Sequence, residues 1–184
     1  MNFLPLVVSL LITGPALAAD WTLDRDASTV GIETTAFGRE LIGAFSDFNA
    51  EIHFDPADLE NARIEGLVDV TSGDTGNPQY NSEMMGNNGL DGDDHPVASF
   101  VSETITSSNA CDDGDGECYE ANGTLTLAGN GQPAVLVFRL SIDGDRAVAD
   151  GLITVIREEF GIGSGDWGNS AATVEVHLHI EATR

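Results

Sequence analysis

The sequence predicts an all-β fold, an antiparallel β-barrel of about eight strands with one or two short helices. Three observations carry that prediction. Two turn signals, Gly129-Asn130-Gly131 and Asp143-Gly144-Asp145, separate three runs rich in Leu, Ile, Val and Thr, the pattern of a meander. The inward positions of these runs are almost purely apolar: Leu136, Phe138, Leu140 and Ile142 on one, Val174, Val176, Leu178 and Ile180 on the last. So many strands would leave exposed edges in an open sheet, and closure into a barrel removes them.

The elements follow in order. Trp21 to Asp24 reads as a first strand. Ser28 to Phe37 alternates, with Val30, Ile32, Thr34 and Ala36 on one face. Gly43 to Asp55 is a longer strand. Phe45, Phe48, Ile52 and Phe54 do not share one parity there, so a bulge or bend is expected near Asp47 to Asn49. Asp55-Pro56 ends it, and Ala57 to Asn61 is a turn or short helical piece. Arg63 to Val70 alternates again. Pro78 to Asn87 has helical composition, with Pro at its start. Val97 to Ser107, Tyr119 to Ala128, Ala134 to Ile142, Ala147 to Arg157 and Thr173 to Ala182 complete the strands. Small inward residues, Thr34, Ala36 and Gly66, favour a hollow barrel over a filled one.

Residues 1–18 contain no Asp, Glu, Lys or Arg. An apolar core from Phe3 to Ile12 is broken by Gly14-Pro15, and Ala16-Leu17-Ala18 offers small residues for a peptidase. This reads as a secretory signal peptide cleaved near Ala18, with 19–184 as one exported domain. The chain has 31 acidic and 7 basic residues, a net charge of −24, and every basic residue is Arg. Such a balance argues against nucleic acid and anionic lipid surfaces as partners, since both would be repelled. Cys111 and Cys118 bracket an acidic loop, and in an exported protein the pair reads as a disulfide.

Catalytic and metal patterns are weak. Asp113, Asp115 and Glu117 begin like a calcium loop, but the glycine and closing glutamate of that pattern are missing. His177 and His179 share a strand face with Glu175 and Glu181. That face reads as the polar outside of the barrel rather than a metal site. Gly161-Ile162-Gly163-Ser164-Gly165 lacks the sixth-position glycine of a dinucleotide loop, and Ser164 is in no nucleophile elbow. No residue is assigned as catalytic or metal-binding, and no cofactor beyond a bound lipid is expected.

The block Gly123, Leu125, Thr126, Gly129, Pro133-Ala134-Val135 and Arg157 through Trp167 resembles the carboxyl half of the YceI-like, or polyisoprenoid-binding, proteins. Trp21, Asp24, Ser28 and Val30, then Gly43-Ala44-Phe45, Phe48, Ile52 and Phe54-Asp55-Pro56, resemble that family's opening. Asp74-Thr75-Gly76-Asn77 and Pro96, Ala98, Phe100 and Ser102 continue the match. The resemblance implies a lipocalin-like barrel in the periplasm that holds a long apolar ligand, namely a polyisoprenoid, an isoprenoid quinone or a related lipid, without catalysis. It also implies, as an alternative, a module that docks on or regulates a cytochrome b561-type membrane redox partner. A homodimer is left open.

Many family members carry Arg-Asp and His-Leu where this chain has Tyr80, Asn81, Glu83 and Met84, and Phe where it has Gly89. Without that positive charge, an uncharged head group suits Tyr80 and Asn81 better than a diphosphate. The candidate ligand-binding residues are Phe45, Phe48, Tyr80, Met84, Met85, Phe100, Phe138, Phe160 and Trp167, since aromatic rings and adaptable Met side chains suit an irregular apolar chain. Ordinary core packing is the competing reading for each of them.

Overall fold

A computed structural model describes residues 20–36, 38–112, 114–163 and 167–184. The signal-peptide reading of residues 1–18 and the residues Ser164 to Asp166 lie outside them. Ten strands form one antiparallel sheet: β1 Asp20–Ala36, β2 Arg39–Phe45, β3 Phe48–His53, β4 Arg63–Asp69, β5 Gly73–Asp74, β6 Val97–Ser107, β7 Glu117–Leu127, β8 Asn130–Asp143, β9 Arg146–Ile156 and β10 Thr173–Thr183. A single α-helix, α1 Pro78–Met85, and 3-10 turns at Val70–Ser72 and Arg157–Phe160 complete the described residues.

The sheet closes because β1 also pairs with β10, from Thr22↔Thr183 to Thr34↔Val174. The other edge of β1 is shared: Val30 to Ala36 pair with β2, while Asp20 and Trp21 pair with β3. Strands β2 and β3 thus make one stave, followed round the ring by β4, β6, β7, β8, β9 and β10. The result is a closed barrel of eight staves, as the sequence predicts.

Two boundaries differ from expectation. The runs Trp21 to Asp24 and Ser28 to Phe37 form one continuous strand, with a register shift between Asp24 and Thr29. Local bonds carry the chain across the polar Asp-Arg-Asp-Ala stretch. The Ser28 hydroxyl donates to the Asp24 carbonyl at 2.6 Å, and the Ala27 N–H donates to the Asp24 carboxylate at 3.3 Å. Secondly, the bend expected near Asp47 to Asn49 falls at Ser46 and Asp47, between β2 and β3. Phe45 and Phe48 are three residues apart and would face opposite ways on one unbroken strand, and the break between β2 and β3 lets both border the cavity.

One end of the barrel is packed solid. The Trp21 indole N–H donates to the Phe54 carbonyl at 2.9 Å. Phe54 meets Tyr119 and Phe138 edge-on, with centroids 5.1 and 5.9 Å apart, and Tyr119 stacks on Phe138 at 5.5 Å. Ile105 and Ala121 are buried with this group. The Tyr119 hydroxyl donates to Glu117 at 2.5 Å, and burial with that carboxylate pushes its pKa up. From outside, the Arg184 guanidinium lies 4.6 Å from the Trp21 ring centroid. Beside this end, Cys111 and Cys118 form the disulfide expected from the sequence. Arg139 donates to the carbonyls of Asp112, Gly114 and Gly116 and so pins the acidic loop to β8.

Candidate functional site: an apolar cavity

Above the aromatic floor the barrel is hollow, with a cavity of about 680 Å³. Its wall is built from the inward positions of the strands. Val30, Ile32, Thr34 and Ala36 come from β1, and Val174, Val176, Leu178 and Ile180 from β10. The space arises where inward residues are small. Ala50 and Gly66 are register partners on β3 and β4, and Ala98 and Ala149 border the cavity too. Thr34, Ala36 and Gly66, expected to leave room, all lie on the wall.

Of the candidate residues, Phe45, Phe48, Phe100 and Phe138 border the cavity from the strands, and Tyr80, Met84 and Trp167 border it from the opposite, helical end. Met85 and Phe160 are not on the wall. Phe160 is buried in the core beneath the Arg157–Phe160 turn, and Met85 directs its carbonyl to the Gly92 N–H at 2.9 Å.

Helix α1 is set over this end by a polar hinge. The Asp74 carboxylate accepts from the Gly76 N–H and the Asn81 amide, both at 2.8 Å, which holds the Asp74 pKa below its ordinary value. The Asn81 carbonyl oxygen accepts from the Thr75 N–H at 2.8 Å and its hydroxyl at 2.6 Å, and Asn77 caps the helix. Asn81, suited on sequence to a head group, is therefore engaged in the hinge. Gly73 lets the helix settle: a Cβ there would lie 2.7 Å from the Met84 methyl carbon and 2.8 Å from the Phe45 ring. At Gly89 a Cβ would lie 2.2 Å from the Met84 carbonyl oxygen, which receives the Leu90 N–H at 2.7 Å. That turn delivers Leu90 to the wall.

The sequence did not mark Arg157 as a cavity residue, because arginine is almost never fully buried. Its side chain is only 2% exposed. Its guanidinium donates to the Ser170 carbonyl at 3.0 Å, the Ile162 carbonyl at 2.7 Å and the Gly168 carbonyl, and lies 5.6 Å from the Trp167 ring centroid. Gly163 has φ +63°, and a Cβ there would sit 2.5 Å from the Trp167 ring. Ile162, Gly168 and Ser170 thus pack round Arg157 at the helical end. Glu83 and Arg157 are the charged residues on the cavity wall among the described residues.

The outer face is separate. His177 and His179 alternate with the inward Val176 and Leu178. His177 lies 3.5 Å from Glu175 and 3.8 Å from Glu33, and His179 Nδ1 lies 2.7 Å from the Asp150 carboxylate. Among the described residues, no three His, Cys, Asp or Glu side chains are grouped to hold a metal ion. The hydrogen bond to Asp150 raises the His179 pKa, helped by Asp150 and Glu181 charge and opposed by burial. A raised folded value means that this stabilisation is complete below the unfolded value of ~6.5 and fades as pH rises through the folded one. Asp150→Asn should therefore cost more stability near pH ~5.5 than near pH ~8.5, read as the shift in urea midpoint.

A family model for the YceI-like domain matches residues 21–182, the whole barrel. The chain belongs to the YceI-like family. Among the relatives, a UPF0312 protein of Ectopseudomonas mendocina is 29% identical, with 96% of this chain and 93% of the relative covered. The crystal structure of BcnA from Burkholderia cenocepacia matches with a TM-score of 0.78 at 27% identity, over 88% of this chain and 99% of BcnA. A polyisoprenoid binding domain from Saccharophagus degradans, implicated in plant cell wall breakdown, shares the fold at a TM-score of 0.66 and 16% identity, over 91% and 99% of the two chains.

Proposed function

We propose that this protein is an exported, periplasmic carrier that holds one long apolar ligand inside its barrel and does no chemistry on it. The observation that carries the proposal is the cavity of about 680 Å³ with an almost wholly apolar wall. Each buried methylene contributes roughly 0.8 kcal/mol, so ten carbons give about 8 kcal/mol before the cost of fixing the chain. Micromolar binding needs no charged clamp. The polyisoprenoid-binding description of the Saccharophagus neighbour supports an isoprenoid, an isoprenoid quinone or a related lipid.

An uncharged head group fits the helical end best. Glu83 would repel a phosphate, and the Arg157 guanidinium already serves three carbonyls. Phe45, Phe48, Phe100 and Phe138 would contact the chain, with Tyr80, Met84 and Trp167 nearer the head group. The apolar stretch and small residues of 1–18 support export and cleavage near Ala18.

A second reading, docking on a cytochrome b561-type membrane partner or on another copy, draws on the outer face of β8 and β9. Val135 and Ile156 are exposed there, beside Val137 and Leu152. Native mass spectrometry of protein recovered from its own periplasm tests the carrier reading. A co-purifying apolar ligand, removable by organic extraction and rebound afterwards, is the expected result. A barrel that is always empty and takes up no prenyl alcohol or quinone sinks it.

A further inference from the structure

We infer, resting on the carrier function proposed above, that the barrel is a blind pocket that measures its ligand's chain. It seats about 25 carbons, roughly five isoprene units, and leaves any longer chain outside the helical end.

The closed end is shut by packing. Trp21, Phe54 and Phe138 border the cavity from below. Behind them Tyr119, Ile105 and Ala121 are buried without reaching the cavity, and Arg184 covers Trp21 from outside. A chain pressing on this floor meets stacked rings at close-packed density rather than a channel. The helical end is different. Gln79 and Glu83 border the cavity there and are exposed to solvent, as are Asn49 and Leu67 on the β3–β4 wall, and of these two places only the helical end carries a charged side chain. An apolar tail therefore enters first, and a polar head stays at Gln79, Tyr80 and Glu83.

The capacity follows from the volume. A dry apolar cavity of ~150 Å³ holds one six-carbon benzene ring, so a cavity of about 680 Å³ holds between four and five times as much, about 25 carbons. Each isoprene unit that fits removes apolar surface from water. Each unit beyond the floor-to-mouth length gains nothing from the barrel. The floor sets the depth, and the Ala50–Gly66 pair sets the width halfway up.

The test uses the full mature protein stripped of lipid and a series of prenyl alcohols: geraniol, farnesol, geranylgeraniol, geranylfarnesol and solanesol. Both tryptophans of the chain, Trp21 at the floor and Trp167 at the mouth, border the cavity, so intrinsic fluorescence reports binding. The expected result is at least about a tenfold gain in affinity per unit up to geranylfarnesol, and less than about threefold from there to solanesol. A rise that continues undiminished to solanesol overturns the blind pocket while leaving the carrier function intact. Failure of every prenol to bind overturns the carrier function, and this inference with it.

Gly66→Phe supplies a second readout. A Cβ at this position meets nothing within 4 Å, so the ring can enter the cavity without moving the backbone. The plateau should shift to a prenol at least one unit shorter, and a plateau that stays in place overturns the assignment. The length series on the unaltered protein decides the matter by itself if the variant does not fold.

Discussion

Arg157→Met is expected to destabilise the protein by about 3 kcal/mol, a loss of roughly 10 °C in melting temperature for a domain of this size. Methionine fills a similar volume, so the effect isolates the guanidinium. Its removal leaves the Ile162 carbonyl, and in part those of Ser170 and Gly168, without donors in a buried setting. Unpaired buried acceptors cost ~1–3 kcal/mol each. Arg157→Lys should recover only part of the loss, because an ammonium cannot hold three divergent carbonyls in a planar fork. Thermal and urea unfolding of the three proteins gives the answer. A melting temperature unchanged in Arg157→Met would mean that the packing round Arg157 does not depend on its guanidinium. The variant should also change Trp167 fluorescence, since the cation lies against that ring.

The second large effect is on ligand uptake. Gly66→Asp places a carboxylate on the cavity wall at a position where an added Cβ meets nothing within 4 Å. In the empty barrel water can solvate the charge, so the fold should survive with its melting temperature little changed. With an apolar chain in place the same charge would be desolvated without a partner, which costs several kcal/mol. Affinity for a prenyl alcohol should fall by at least about a hundredfold. Gly66→Ser, which adds a polar group without charge, should lose much less. Undiminished binding by Gly66→Asp would show that the ligand does not occupy the barrel interior.

The ring of strands was legible because alternation is strict where it matters. From Ala134 on β8 and Val174 on β10 every second residue is apolar, and Phe138 and Leu140 of the first and Val174, Val176, Leu178 and Ile180 of the second border the cavity. The mixed parity of Phe45 and Phe48 likewise pointed to a break, which occurs at Ser46 and Asp47. What the pattern hid was bonding between side chain and backbone. Asp24 and Ser28 carry β1 through a stretch that reads as a loop, and Asp74 and Asn81 form a hinge that reads as a polar contact site.

The site was legible in its chemistry and less so in its geometry. Four of the five candidate phenylalanines fall on the wall, but Phe160 leaves the alternating strand at the Arg157–Phe160 turn and packs in the core instead. Nothing in the local pattern separates it from Phe138. Tyr119, part of the floor, shares a strand with the inward Leu125, but its role depends on Phe54 and Phe138, which come from distant parts of the chain. Arg157 could have been suspected from the glycines that follow it. Gly161 and Gly163 both adopt positive φ, and the second makes room for a ring.

Closure by β1 and β10 has a consequence for how the molecule assembles. The two strands that seal the ring lie at opposite ends of the chain, so the seam is the most non-local pairing in the molecule. Such contacts carry the largest loop-closure cost and form late. A polypeptide emerging amino end first leaves one edge of β1 unpaired until Thr173 and its successors arrive. Until then there is neither a ring nor an interior, and cargo can be taken up only after the last strand has docked.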